Sequence, residues 1–169
     1  MSLVGLMETR PLQKVIVQMI TDNCGLTRQT FYNHFIDKYD VVNWMFRKVV
    51  NDAATAVRPD TPWETVLGDM LASIRQHRKF YINALNDNSQ NSLGIFMREY
   101  TRTAYDRELQ RRISKEELDD ELAFSTSFNS YGAVGVISEW MSGGMNEDPY
   151  RLAIRIADNM PKRMRVFFI

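Results

Sequence analysis

The chain has 169 residues, 44% of them hydrophobic and 11% aromatic, the composition of a globular protein with one good core or of a small module joined to a larger one. Lysine plus arginine equals aspartate plus glutamate at 21 each, so net charge announces no nucleic-acid partner and such a claim must rest on local residues. No apolar run approaches the roughly 20 residues that span a bilayer, the start "MSLVGLMETRP" is not a signal peptide, and a single cysteine with no CxxC or HExxH argues against a disulfide, a structural metal or a cofactor.

Along the chain the periodicity is helical, with almost no strand signal. Up to about residue 38 the helices must be short, roughly Leu3 to Glu8, Val15 to Asn23 and Arg28 to His34. They lengthen afterwards. "KYDVVNWMFRKVVNDAATAV" places Val42, Met45, Phe46, Val49 and Val50 on one stripe, and "RPDTP" then breaks the chain. In "PWETVLGDMLASIRQH" Trp63, Val66, Leu67, Met70, Leu71 and Ile74 form the next stripe, with Thr61 a cap and Pro62 at the first helical position. "SLGIFMREYTRTAYDRELQRRI", "EELDDELAFSTSFNSYGAVGVISEWMSG" and "DPYRLAIRIADNMPKRMRVFF" complete the series, with Gly143 and Gly144 as a stop and Asp148-Pro149 as a start. The expected fold is all-α: a short three-helix head over residues 1–45 on a helical regulatory and dimerisation body over residues 46–169.

"CGLTRQTFYNHF", Cys24 to Phe35, carries the chemistry of the head. Gly25 suits the left-handed end of one helix, Leu26 can enter the core, and Thr27 can cap the next helix, which makes a helix-turn-helix over Val17 to Phe35. At 100° per residue, Arg28, Gln29, Thr30, Tyr32 and Asn33 share one arc while Phe31 and Phe35 lie outside it as anchors. Arginine pairs with guanine O6 and N7, and asparagine or glutamine with adenine N6 and N7, so the arc suits a DNA major groove. Tyr32 and His34 can reach phosphates from the flanks, and Lys38 stands close to the backbone.

"LTRQTFYNHFIDKYDVVNWMF", preceded by "VIVQMITDNCG", resembles the DNA-binding head of TetR-type transcriptional regulators, with a T-F-Y-x-H-F core followed by a D-K pair, over residues 11 to 46. The resemblance implies groove-facing positions at Arg28, Gln29, Thr30 and Asn33 and phosphate contacts at Thr27, Tyr32, His34 and Lys38. It also implies a longer first helix than "LVGLMETRPL" leaves, so helix one is expected to be truncated. "YGAVGVISEWMSGGMNEDPYRLA" resembles, more weakly, a subgroup that includes activators of dihydroxyacetone kinase operons. That likeness implies an effector sensed through a co-regulator protein.

Three features of the body remain. Trp63, Phe96, Tyr100, Phe124, Phe128 and Tyr131 sit on helices that could surround a pocket for a small-molecule effector. Gly132, Ala133, Val136 and Trp140, with Leu152 and Ile156 of the closing helix, suit a four-helix homodimer interface, because one reading helix offers too few contacts and two can read a palindromic operator in double-stranded DNA. The acidic run "KEELDDEL" reads as a solvated first turn and Cys24 as a small buried hydrophobe. No catalytic constellation stands out, so the reading is a cytoplasmic DNA-binding regulator without enzymatic activity. The competing one is a helical ligand- or protein-binding module that has lost DNA binding.

Overall fold

Short polar side chains fix where helices begin. Thr27 Oγ1 accepts from the Thr30 amide, Asp37 from Asp40, Asp119 from Leu122, and Asp148 from Tyr150 and Arg151. In the computed structural model, which describes residues 2–56, 61–87 and 92–168, these caps open four of ten α-helices, and no strand occurs among the described residues. The head consists of α1 (Ser2–Met7), a 3₁₀ turn (Leu12–Lys14), α2 (Val17–Cys24) and α3 (Arg28–Tyr32), followed by α4 (Lys38–Thr55). The body consists of α5 (Trp63–Gln76), α6 (Arg78–Leu85), α7 (Leu93–Ile113), α8 (Asp120–Ser142), α9 (Pro149–Asp158) and α10 (Lys162–Arg165).

One continuous core runs from Leu3, Met7 and Leu12 of the head through Phe31 and Phe46 to Leu71, Phe80, Tyr81, Trp140 and Leu152 of the body. Burial of that apolar surface, at about 25 cal/mol per Å², is what holds the short head helices, which are far below the length at which an isolated helix persists. A second cluster of Tyr105, Leu109, Met160, Met164 and Phe168 closes the far end of α7, with Trp63 packed against it. Helices α5 and α9 pack closely because Gly68 has no side chain: a Cβ there would lie 2.3 Å from Tyr150 Cδ1. The Tyr150 hydroxyl then donates to Asp69 Oδ1 at 2.7 Å.

Several expectations are corrected. Pro62 is the cap residue of α5 rather than its first helical residue. The closing segment divides, α9 ending at Asp158 and α10 beginning after Pro161, whose missing N–H cannot continue a helix. Leu26 is half exposed instead of in the core, and Cys24 is exposed, its thiol directed at Ile20 O. The break expected at "RPDTP" falls mostly on residues 58–60, outside the described residues. The 45/46 boundary lies inside α4, a single helix that joins head to body.

Candidate nucleic-acid interface and effector cavity

The turn of the helix-turn-helix is built by two residues. Gly25 ends α2 at φ 67°, the left-handed conformation that glycine adopts without strain, and Thr27 starts α3 three residues before its bonded Thr30 amide, at 3.1 Å. The Thr27 and Thr30 hydroxyls also lie 2.9 Å apart. Phe31 is buried and touches Phe35, which in turn meets Trp44 edge-on, so one side of α3 is bolted to α4. The opposite side presents Arg28, Gln29, Tyr32, Asn33 and His34 to solvent, with Thr30 half-buried between them. Gln29 Nε2 donates to Asn33 Oδ1 at 3.1 Å. Each side chain thereby orders the other, and the pair keeps Gln29 Oε1 as an acceptor and Asn33 Nδ2 as a donor on two exposed residues.

Lys38 is placed differently from the expectation of a phosphate contact. Its Nζ donates to the carbonyls of Leu12, Gln13 and Val15 at 2.8, 3.1 and 2.8 Å, which takes all three ammonium protons. Burial pulls its pKa below the usual lysine value, against the opposing charges of Asp87 and Asp37. Lys38 therefore ties α4 to the 3₁₀ turn from the inside. Through residue 45 the head carries Arg10, Lys14, Arg28 and Lys38 against Glu8, Asp22, Asp37 and Asp40, a balance of charge.

A cavity of about 780 Å³ opens in the body between α4, α5, α7 and α8, within the volume range of small-molecule sites. Phe46, Met70, Met97 and Val134 line its apolar end, Trp63, Tyr100 and Tyr105 its aromatic wall, and Arg107, Glu108, Arg111 and Arg112 its polar end. Trp63 Nε1 is buried beside the Tyr105 hydroxyl, which it helps to hold, and makes no close hydrogen bond among the described residues. Burial pushes the Tyr105 hydroxyl up to about 12. Arg111, chiefly through hydrogen bonds at 2.8 and 2.7 Å, and then Arg112 hold Glu108 below the usual carboxylate range. Of the pocket residues read from sequence, Trp63 and Tyr100 line this cavity, whereas Phe96 stacks on Tyr100 from outside it. Phe124, Phe128 and Tyr131 do not reach it. They point to solvent at 71%, 65% and 63% exposure.

The inversion of α8 has a physical cause. Its inward face carries Ser125, Thr126 and Ser130, whose hydroxyls donate to the carbonyls of Glu121, Ala123 and Thr126 within the same helix. Self-satisfied hydroxyls can be buried at little cost, which frees the phenyl rings to face outward. The exposed side of α8 therefore reads Phe124, Phe128, Tyr131, Gly132, Gly135 and Val136. Of the interface residues read from sequence, Gly132 and Val136 are on this side. Ala133, Trp140, Leu152 and Ile156 are buried in the chain's own core, and Trp140 Nε1 donates to Glu147 O.

Residues 61–162, more than half of the chain, match the TetR-type family described as "Transcriptional regulator C-terminal region". The chain belongs to this family of TetR-type transcriptional regulators. The matched span covers α5 to α9 and so contains the exposed face of α8 and the cavity walls from α5, α7 and α8, but not the wall from α4. No curated protein matches this TetR-type regulator in sequence. Among solved structures it is similar to "Dihydroxyacetone kinase operon activator DhaS", with 18% sequence identity, coverage of 99% of this chain and 94% of that one, and a TM-score of 0.68. At that identity the likeness shows a shared all-α fold, head included.

Proposed function

We propose that this TetR-type regulator binds a palindromic operator in double-stranded DNA as a homodimer, through a head over residues 1–45 carried by a regulatory body over residues 46–169. The observation that carries the reading is the Gln29–Asn33 pair on α3, an acceptor and a donor on two exposed residues. That arrangement complements N6–H and N7 of adenine, and Arg28 one residue earlier suits guanine. Thr27, Tyr32 and His34 are the phosphate partners, and the electroneutral head makes base contacts the larger part of recognition. Two copies meet through the exposed side of α8, where Gly132 and Gly135 permit close approach and Phe128, Tyr131 and Val136 supply apolar surface. The 780 Å³ cavity is the seat of a small-molecule effector, and a co-regulator protein is the second means of control. Acting on DNA, the protein works in the cytoplasm, and among the described residues no helix is long and apolar enough to cross a membrane.

Binding titrations on an operator and a random duplex test the reading. Gln29→Ala or Asn33→Ala should weaken operator binding by about 1–3 kcal/mol while leaving random duplex unchanged. Because the two side chains order each other, the double variant should lose less than the sum. Equal losses on both duplexes would remove the base-reading assignment.

A further inference from the structure

Beyond apolar packing, helix α6 hydrogen-bonds to the head through one side chain. Asn83 Oδ1 accepts from the Leu12 amide at 2.9 Å, and Asn83 Nδ2 donates to the Met7 and Arg10 carbonyls at 2.9 and 2.6 Å. Among the described hydrogen bonds no other body side chain reaches residues 2–36. The grip falls on the corner between α1 and the 3₁₀ turn, whose other carbonyls, at Leu12, Gln13 and Val15, are held by Lys38 of α4. The corner is thus clamped from two sides, by the body through Asn83 and by α4 through Lys38. Helix α2 leaves this corner directly and carries α3 on it. Beside Asn83, α6 buries Phe80, Tyr81 and Ala84 and packs against α8, whose outer face is the dimer contact of the proposed function.

We propose that Asn83 is the positioning residue that fixes the separation of the two reading helices in the dimer, and so determines which half-site spacing the protein accepts. The inference rests on the DNA-binding reading. Between the α8 face of one chain and its α3, this amide is the polar link from α6 to the corner that leads into α2 and α3, beside the longer Tyr39 Oη–Asp87 Oδ2 bond at 3.4 Å that reaches only α4, and apolar packing alone permits sliding that three hydrogen bonds do not. Asparagine suits the role because it offers both amide protons and an acceptor in one plane. An aspartate of the same shape keeps the acceptor for Leu12 N–H but turns a carboxylate oxygen toward two carbonyls.

The test compares unmutated protein with Asn83→Asp and Asn83→Gln on a palindrome selected from random duplexes and on the same palindrome with one base pair added to or removed from its centre. The dimer mass and the affinity for random duplex should be unchanged in Asn83→Asp, while the preference for native over altered spacing falls on the order of tenfold. Asn83→Gln, which keeps both amide donors on a longer stem, should recover part of that preference. Amide exchange without DNA is a second readout, usable whether or not a variant binds: Leu12 should exchange on the order of tenfold faster in Asn83→Asp while Leu71 and Ile74 of α5 stay unchanged. Unaltered spacing preference in Asn83→Asp, or loss of operator and random-duplex binding together, overturns the inference alone. Failure of the unmutated protein to bind any duplex overturns the DNA-binding reading and this inference with it. If Asn83→Asp does not fold, the unmutated protein decides: operator DNA should slow Leu12 exchange, and an unchanged rate overturns the assignment.

Discussion

A single methyl group at Gly135 separates the chain's own stability from its pairing. Gly135 lies on the exposed side of α8 between Tyr131 and Glu139, and a Cβ built there meets nothing within 4 Å. Alanine at a helical position without clash recovers about 1 kcal/mol of backbone entropy, so Gly135→Ala should stabilise the isolated chain. At a two-fold interface the same methyl enters twice. Overpacking of about 1–3 kcal/mol per site then raises the dimer dissociation constant by at least about thirtyfold. Sedimentation velocity over a micromolar concentration series, with calorimetric melting of the same samples, reads both effects. Val136→Arg should dissociate the dimer without unfolding, because Val136 is 42% exposed. Trp140→Glu should unfold the chain, because Trp140 is buried in its core. A Gly135→Ala protein that pairs as tightly as the unmutated one would refute the placement of the interface on this face.

Lys38→Gln should lower the melting temperature by loosening the 3₁₀ turn yet leave the salt dependence of DNA binding unchanged, whereas Arg28→Gln should weaken operator binding by about 1–3 kcal/mol and relax the preference at the guanine position. Glu108 titrates below its ordinary value of 4.5 because of Arg111 and Arg112, so its stabilisation is complete above that pH and is lost as pH falls through the lower folded value. Thermal melts of Glu108→Gln and unmutated protein should therefore differ at pH 7 and converge as pH falls through the lowered folded value. Met70→Trp should fill the cavity and abolish saturable binding of an apolar fluorescent probe without dissociating the dimer, since Met70 lines the cavity and lies away from the exposed side of α8.

The recognition helix was legible because its signals are local: a glycine for a left-handed stop, a threonine to cap, and two phenylalanines spaced to anchor one side. Each acts within four residues of its partner, the range over which sequence spacing fixes geometry. Helix α8 was misread for the opposite reason. Rings and small polar residues alternate around its first half, and periodicity cannot tell which side is core when the buried hydroxyls satisfy themselves on their own helix. In sequence, Trp140 of α8 and Leu152 and Ile156 of α9 read as an interface because apolar helix surface looks the same whether a neighbouring helix of the same chain or of a partner covers it. Lys38 owes its expected role to its place at the start of α4 as well as to the resemblance, and its partners lie 23 to 26 residues away, beyond the reach of local spacing. Asn83 had no local signal at all, since its partners are 71 to 76 residues distant.

Selection from a pool of random duplexes tests most directly whether α3 reads bases in double-stranded DNA as one of a symmetric pair. The unmutated protein should enrich a two-fold symmetric sequence whose half-sites each contain an adenine and a guanine contacted in the major groove, with centres about one helical turn or more apart. Gln29→Ala should relax the preference at the adenine position in both halves. Enrichment of no sequence, or of one without two-fold symmetry, would contradict the account.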